Sequence, residues 1–130
     1  MTGNTPDNFR LRFCKLVPLS DEITEIIADK GTEINLEDVN AFHNWLDNNH
    51  ENDIALLVNK KNHCSYTFNA QREMGNLERI KAIAYVIYDN ASEIALQSML
   101  AMKSRRNIPH YISYDYDEAL NWLKLQVDLG

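Results

Sequence analysis

The sequence predicts an α/β domain built on a mainly parallel sheet. Three observations predict it. Short apolar runs of strand character alternate along the chain with stretches of helical periodicity. Two runs, residues 53–59 (DIALLVN) and 80–88 (IKAIAYVIY), are nearly unbroken apolar sequence, as strands buried on both faces are. The first two runs are joined too tightly for a crossover, so they pair antiparallel.

Residues 9–17 (FRLRFCKLV) alternate as a strand with one apolar face. A turn follows around Pro18 and Asp21. Residues 22–28 (EITEIIA) are rich in isoleucine and threonine and form the second strand. Gly31 breaks the pattern. Asn35 is an N-cap with Asp38 three residues on, a capping box, and Leu36, Val39, Phe42 and Leu46 then recur at helical spacing as far as Asn48. Ala41 and Trp45 widen this stripe. The strand over 53–59 comes next, then a polar loop over 60–67. A short helix runs from Asn69 to Leu77, and the strand over 80–88 follows.

Asn90 to Glu93 repeats the capping-box pattern and opens a helix to about Ser104. Its inward residues are expected to be Ile94, Ala95, Ser98, Met99 and Met102. Pro109 stops helical continuation, residues 109–114 (PHYISY) form a polar strand near an edge, and a final helix starts at Tyr116 or Asp117. Ala119, Leu120, Leu123 and Val127 point inward from it. The expected order is β-β-α-β-α-β-α-β-α, about five strands and four helices with right-handed crossovers.

The 130 residues fit one domain, expected over 9–130, with residues 1–8 (MTGNTPDN) as a flexible N-terminal segment. That segment lacks the basic and apolar regions of a signal peptide. No apolar run reaches the roughly 20 residues of a membrane span. A net charge of −6 argues against nucleic-acid binding, which needs clustered positive charge. Lys103, Arg105 and Arg106 are better read as basic residues at a helix end. Two cysteines, Cys14 and Cys64, make neither a disulfide framework nor a zinc site, and they point to a reducing, cytoplasmic compartment.

The element order, the central stretch LLVNKKNHCSYTFNAQREMGNLERIKAIAYVIYDNASEIALQSML and the ending IPHYISYDYDEALNWLK resemble the SpoIIAA-like (STAS-type) family of small bacterial regulatory domains. The resemblance covers roughly residues 9–126. It implies the SpoIIAA-like fold and a module that binds other macromolecules or, in relatives, lipids and nucleotides. In the anti-sigma antagonists of that family a serine in D-S-S-G is phosphorylated before the next helix. Ser65, Tyr66 and Thr67 stand in the corresponding loop, which makes Ser65 and Thr67 the candidate phosphorylation sites. D-S-S-G itself is absent and Tyr66 and Phe68 are bulky, which favours Ser65 and Thr67 as turn and capping residues.

No catalytic, cofactor-binding or metal constellation emerges. His43 and Asp47 are spaced i, i+4, but no third ligand accompanies them. His63 and Cys64 are adjacent, and neighbouring side chains in extended chain point apart. G-x-S-x-G, P-loop and G-x-G-x-x-G motifs are absent. Trp45 and Trp122 sit beside apolar helical positions as core or groove-lining residues. Tyr85, Tyr88, Tyr111 and Tyr114, with Tyr116, cluster in sequence around the ends of two neighbouring strands, where open α/β sheets bind ligands, and are candidates for a pocket. The expectation is therefore a non-catalytic interaction or regulatory module with a protein partner or self-association and no cofactor. The alternative is a lipid or small-molecule carrier with an apolar pocket between sheet and helices. An enzyme would need two titratable side chains converging in a pocket.

Overall fold

The computed structural model describes residues 9–129. The expected flexible segment over 1–8 lies outside the described residues. Eight strands and four helices follow one another: β1 (Phe9–Arg10), β2 (Cys14–Pro18), β3 (Ile23–Ala28), β4 (Glu33–Ile34), α1 (Leu36–Asn49), β5 (Ile54–Asn59), β6 (Ser65–Tyr66), α2 (Phe68–Glu73), β7 (Ile80–Val86), α3 (Asn90–Leu100), β8 (His110–Ser113) and α4 (Tyr116–Leu129). Six strands form one sheet in the order β1-β2-β3-β5-β7-β8. The β1–β2 and β2–β3 pairs are antiparallel and the rest of that sheet is parallel. β4 and β6 form a separate parallel pair.

The parity of the strands divides the core into two layers. Ile54, Leu56, Ile83 and Tyr85 face α1, α2 and α3, where they meet Phe42, Leu46, Ala70, Leu96 and Met99. Ala55, Leu57, Ala82, Ala84 and Val86 face the other way and pack under Ala119 and Leu123 of α4. Small alanines on this second face let the single helix α4 approach the sheet closely. The continuous apolar runs in β5 and β7 follow from this two-sided burial.

Several boundaries differ from the sequence expectations, each for a local reason. Residues 9–17 do not form one strand. The chain reverses at Leu11, whose N–H donates to the Cys14 carbonyl at 2.9 Å, and Phe9 comes to lie opposite Leu16. Phe13 is thereby fully buried. The loop over 60–67 contains β6, a strand of two residues and too short to carry a period. The cap of α2 is Thr67, not Asn69: its Oγ1 accepts from the Ala70 N–H at 3.3 Å. The helix ends at Glu73, and Gly75 follows with a φ of 71°, a left-handed conformation that favours glycine. Asp89 rather than Asn90 caps α3, accepting from the Ser92 N–H at 2.7 Å. α3 stops at Leu100, before the expected Ser104. Its buried residues are Leu96 and Met99, whereas Ile94, Ala95 and Ser98, expected inward, face out.

Candidate functional site

The C-terminal end of β5 opens on the best-equipped groove of the molecule. After Asn59 the chain leaves the sheet, turns through residues 60–64 and returns along β6. Backbone hydrogen bonds pin this excursion: Lys60 N–H to the Val86 carbonyl, Ser65 N–H to the Thr32 carbonyl and Thr67 N–H to the Ile34 carbonyl, each at 2.9 Å. Gly31, with a φ of 76°, donates its N–H to the His63 carbonyl at 2.7 Å. A fixed polar segment thus faces α3 across a groove of about 450 Å³. Lys60, Ser65 and Tyr66 line one side; Ala95, Leu96 and Met99 line the other. Clefts of similar volume lie at the opposite end of the strands, near Asp53 and Lys81 and near Trp45 and His50. The groove by α3 is the one at the carboxyl ends of parallel strands, where open α/β sheets take ligands.

Its electrostatics centre on Lys60. This side chain is half-buried, and none of the ion pairs among the described residues includes it. Its ammonium lies 5.5 Å from the centre of the Tyr66 ring, a cation–π arrangement. Burial holds its pKa below the usual lysine value. Burial likewise pushes the Cys64 thiol up, which disfavours the reactive thiolate. His63 turns elsewhere: its Nε2 meets Asp89 Oδ2 at 3.0 Å at the surface. The Ser92 N–H it accepts, as cap of α3, is the first cause that keeps Asp89 low in pKa. His63 is therefore engaged with Asp89 rather than with Cys64. Among the described residues no group of three His, Cys, Asp or Glu side chains is placed to hold a metal ion.

Of the candidate phosphorylation residues, Ser65 lines this groove and Thr67 does not. Ser65 is exposed in β6, and Thr67 is the half-buried cap of α2. The four candidate pocket tyrosines are not brought together. Tyr85 is buried on the face toward α3, with its ring 6.5 Å from that of His110. Tyr111 lies over the opposite face, stacked 5.6 Å from Trp122 and donating to Glu118 at 2.6 Å. Tyr114 is exposed and donates to Glu93 of α3 at 3.1 Å. Tyr88 reaches Asn59.

Tyr88 belongs to a network that sequence reasoning missed. Glu25 and Asn59 are buried polar side chains on the α4 side of β3 and β5. Glu25 accepts from Tyr116 OH at 2.7 Å and from Asn59 Nδ2 at 3.0 Å, while Tyr88 OH donates to Asn59 Oδ1 at 2.9 Å. Burial first, and the Glu25 contact second, push the Tyr116 hydroxyl up in pKa. This network ties the first turn of α4 to the centre of the sheet. An acidic residue at the middle of an isoleucine-rich strand was the available signal for it. A second missed feature is His50. Its Nδ1 lies 2.7 Å from the Asp21 carbonyl and its Nε2 lies 2.7 Å from Thr24 Oγ1, which is fully buried. A carbonyl only accepts, so Nδ1 donates to Asp21.

A mainly parallel sheet with an antiparallel N-terminal pair, three helices on one face and one on the other, makes this a protein of SpoIIAA-like fold. The likeness is to the crystal structure of an uncharacterized protein of the DUF3478 family with a SpoIIAA-like fold, from Shewanella loihica PV-4. The two superpose with a TM-score of 0.58 over 85% of this chain and 91% of that chain, at 14% identity. No family model matches the chain, and no curated protein does.

Proposed function

We propose that this protein is a non-catalytic interaction module of the STAS type, working in the cytoplasm, which engages a protein partner or a second copy of itself through the outer face of α3. The observation that carries the reading is that face. Ala91, Ile94, Ala95 and Ser98 recur at helical spacing, none is charged, all are exposed, and Ile94 is 60% exposed. An isoleucine with no packing role on a helix that already has a buried stripe suits a partner's surface. The SpoIIAA-like fold supports the reading in kind. The free thiols Cys14 and Cys64 fit a reducing compartment. No helix among the described residues is long and apolar enough to cross a membrane.

The carrier alternative needs an apolar chamber between sheet and helices. An interior cavity there, bordered by Phe13, Ile34, Tyr66 and Met74, is about 20 Å³. That is room for about one water, not a lipid tail. Co-purification followed by native mass spectrometry, with wild type and Ile94→Lys side by side, tests the module. We expect a protein-bound or dimeric species that disappears in the variant while its melting temperature is unchanged. A wild type without any bound species, or a species indifferent to the variant, contradicts the reading.

A further inference from the structure

We infer that the groove between β6 and α3 is a binding site for a small organic carboxylate, its anionic end against the Lys60 ammonium and its hydrocarbon part against Ala95, Leu96 and Met99. The inference does not rest on the partner reading: Ala91, Ala95 and Ser98 of that face also line the groove, but the site turns on Lys60 and the partner reading on Ile94.

The protein leaves one charge incompletely compensated. Lys60 is half-buried and joins no ion pair among the described residues, although the chain is acidic overall. The backbone fixes its position through the bond from Lys60 N–H to Val86. The Tyr66 ring steadies the cation but carries no formal charge. A partly desolvated ammonium gains from an anion that brings its own negative charge into the groove.

The surroundings select the kind of anion. One lysine is matched by one negative charge. A phosphate brings about −1.5 to −2 charges, and Asp89 caps α3 and Glu93 stands in its first turn, next to the groove-lining Ala91 and Ser92. Asp89 is already engaged with His63. A dianion paired with Lys60 keeps a net negative charge that these carboxylates repel, whereas a monocarboxylate paired with Lys60 is neutral overall. Ser65, Gln71 and Ser98 also line the groove and offer neutral donors to the second carboxylate oxygen. The facing wall is apolar, with exposed Ala95 over the edges of the almost fully buried Leu96 and Met99, so a ligand with a short hydrocarbon body gains contact there that acetate or formate does not. A volume of about 450 Å³ falls within the range of small-molecule sites.

Hexanoate is the probe, titrated into the full chain and followed by amide NMR shifts. We expect saturable shifts confined to residues 60–66 and to α3. Hexan-1-ol should bind at least about tenfold more weakly, and Lys60→Met, which keeps the aliphatic stem, should weaken hexanoate about tenfold or more. Inorganic phosphate should bind more weakly than hexanoate at the same amides. Should Lys60→Met fail to fold, Ala95→Phe on the exposed side of α3 fills the groove and should block hexanoate in a folded protein. The inference is overturned by an absence of saturable shifts or by hexan-1-ol binding as well as hexanoate. Phosphate binding more tightly, or unaltered hexanoate affinity in the folded variants, also overturns it. Ile94→Lys should retain hexanoate binding, so this site and the partner reading fail separately.

Discussion

Glu25 shows how a residue that breaks the strand pattern can hold the molecule together. Its side chain is buried, joins no ion pair among the described residues and accepts from Tyr116 and Asn59. A buried acceptor left short of donors costs more than the bond itself contributes. Tyr116→Phe should therefore lower stability by about 1 kcal/mol, measured as a lower urea midpoint with an unchanged slope. Glu25→Ala strands two donors at once and should cost about 1–3 kcal/mol. Equal midpoints for wild type and both variants would show that α4 docks on apolar contacts alone. Asp38 gives a pH signature. The Arg12 guanidinium, donating from Nε at 2.7 Å, holds its carboxyl below the usual range, helped by the Asn35 N–H. A depressed folded pKa stabilises above the unfolded value of about 3.9 and loses that contribution as pH falls through the lower folded value. Asp38→Asn should thus be less stable than wild type at neutral pH, and the gap should narrow in acid below about pH 4. A gap that stays constant across that range contradicts the pairing.

At the scale of elements, the helices were legible in outline and misread in one decisive face. The capping box of α1 follows directly from Asn35 and Asp38 in the sequence. α4 presents Ala119 and Leu123 inward as its periodicity requires. α3 carries two stripes of apolar or small residues, and periodicity alone cannot choose between them. Packing chooses Leu96 and Met99, which leaves Ala91, Ile94, Ala95 and Ser98 outside. The β4–β6 pair was illegible because two-residue strands have no period, yet it positions the wall of the groove. Gly31 serves this pair: its left-handed φ of 76° aims its N–H at His63, and a Cβ there would meet nothing within 4 Å. Gly31→Ala should therefore cost about 1 kcal/mol through backbone strain alone. A Gly31→Ala protein as stable as wild type in urea would show that this turn relaxes without penalty.

For the whole molecule, the order of strands and helices was readable because buried parallel strands and amphipathic helices leave different signatures. The candidate site was only partly readable. Ser65, singled out in the sequence, lines the groove, but Lys60 became notable only when folding set it against Tyr66 outside every ion pair among the described residues. Tyr85 and Tyr111 stay apart because neighbouring positions in β7 and β8 point to opposite faces of the sheet, and Tyr88 and Tyr114 lie beyond the strand ends with partners of their own. The two faces differ in their cover: three helices on one side, one on the other. This asymmetry places the exposed stripe of α3 on the thicker side and α4 on its opposite side, which offers an internal control. The most direct test of the interaction module is site-specific photo-crosslinking of the full chain in cells, with benzoylphenylalanine at Ile94 or at exposed Asn121 of α4. The account predicts a discrete adduct, with a partner or a second copy, from position 94 and none from position 121. No adduct at 94, or the same adduct from both positions, would contradict it.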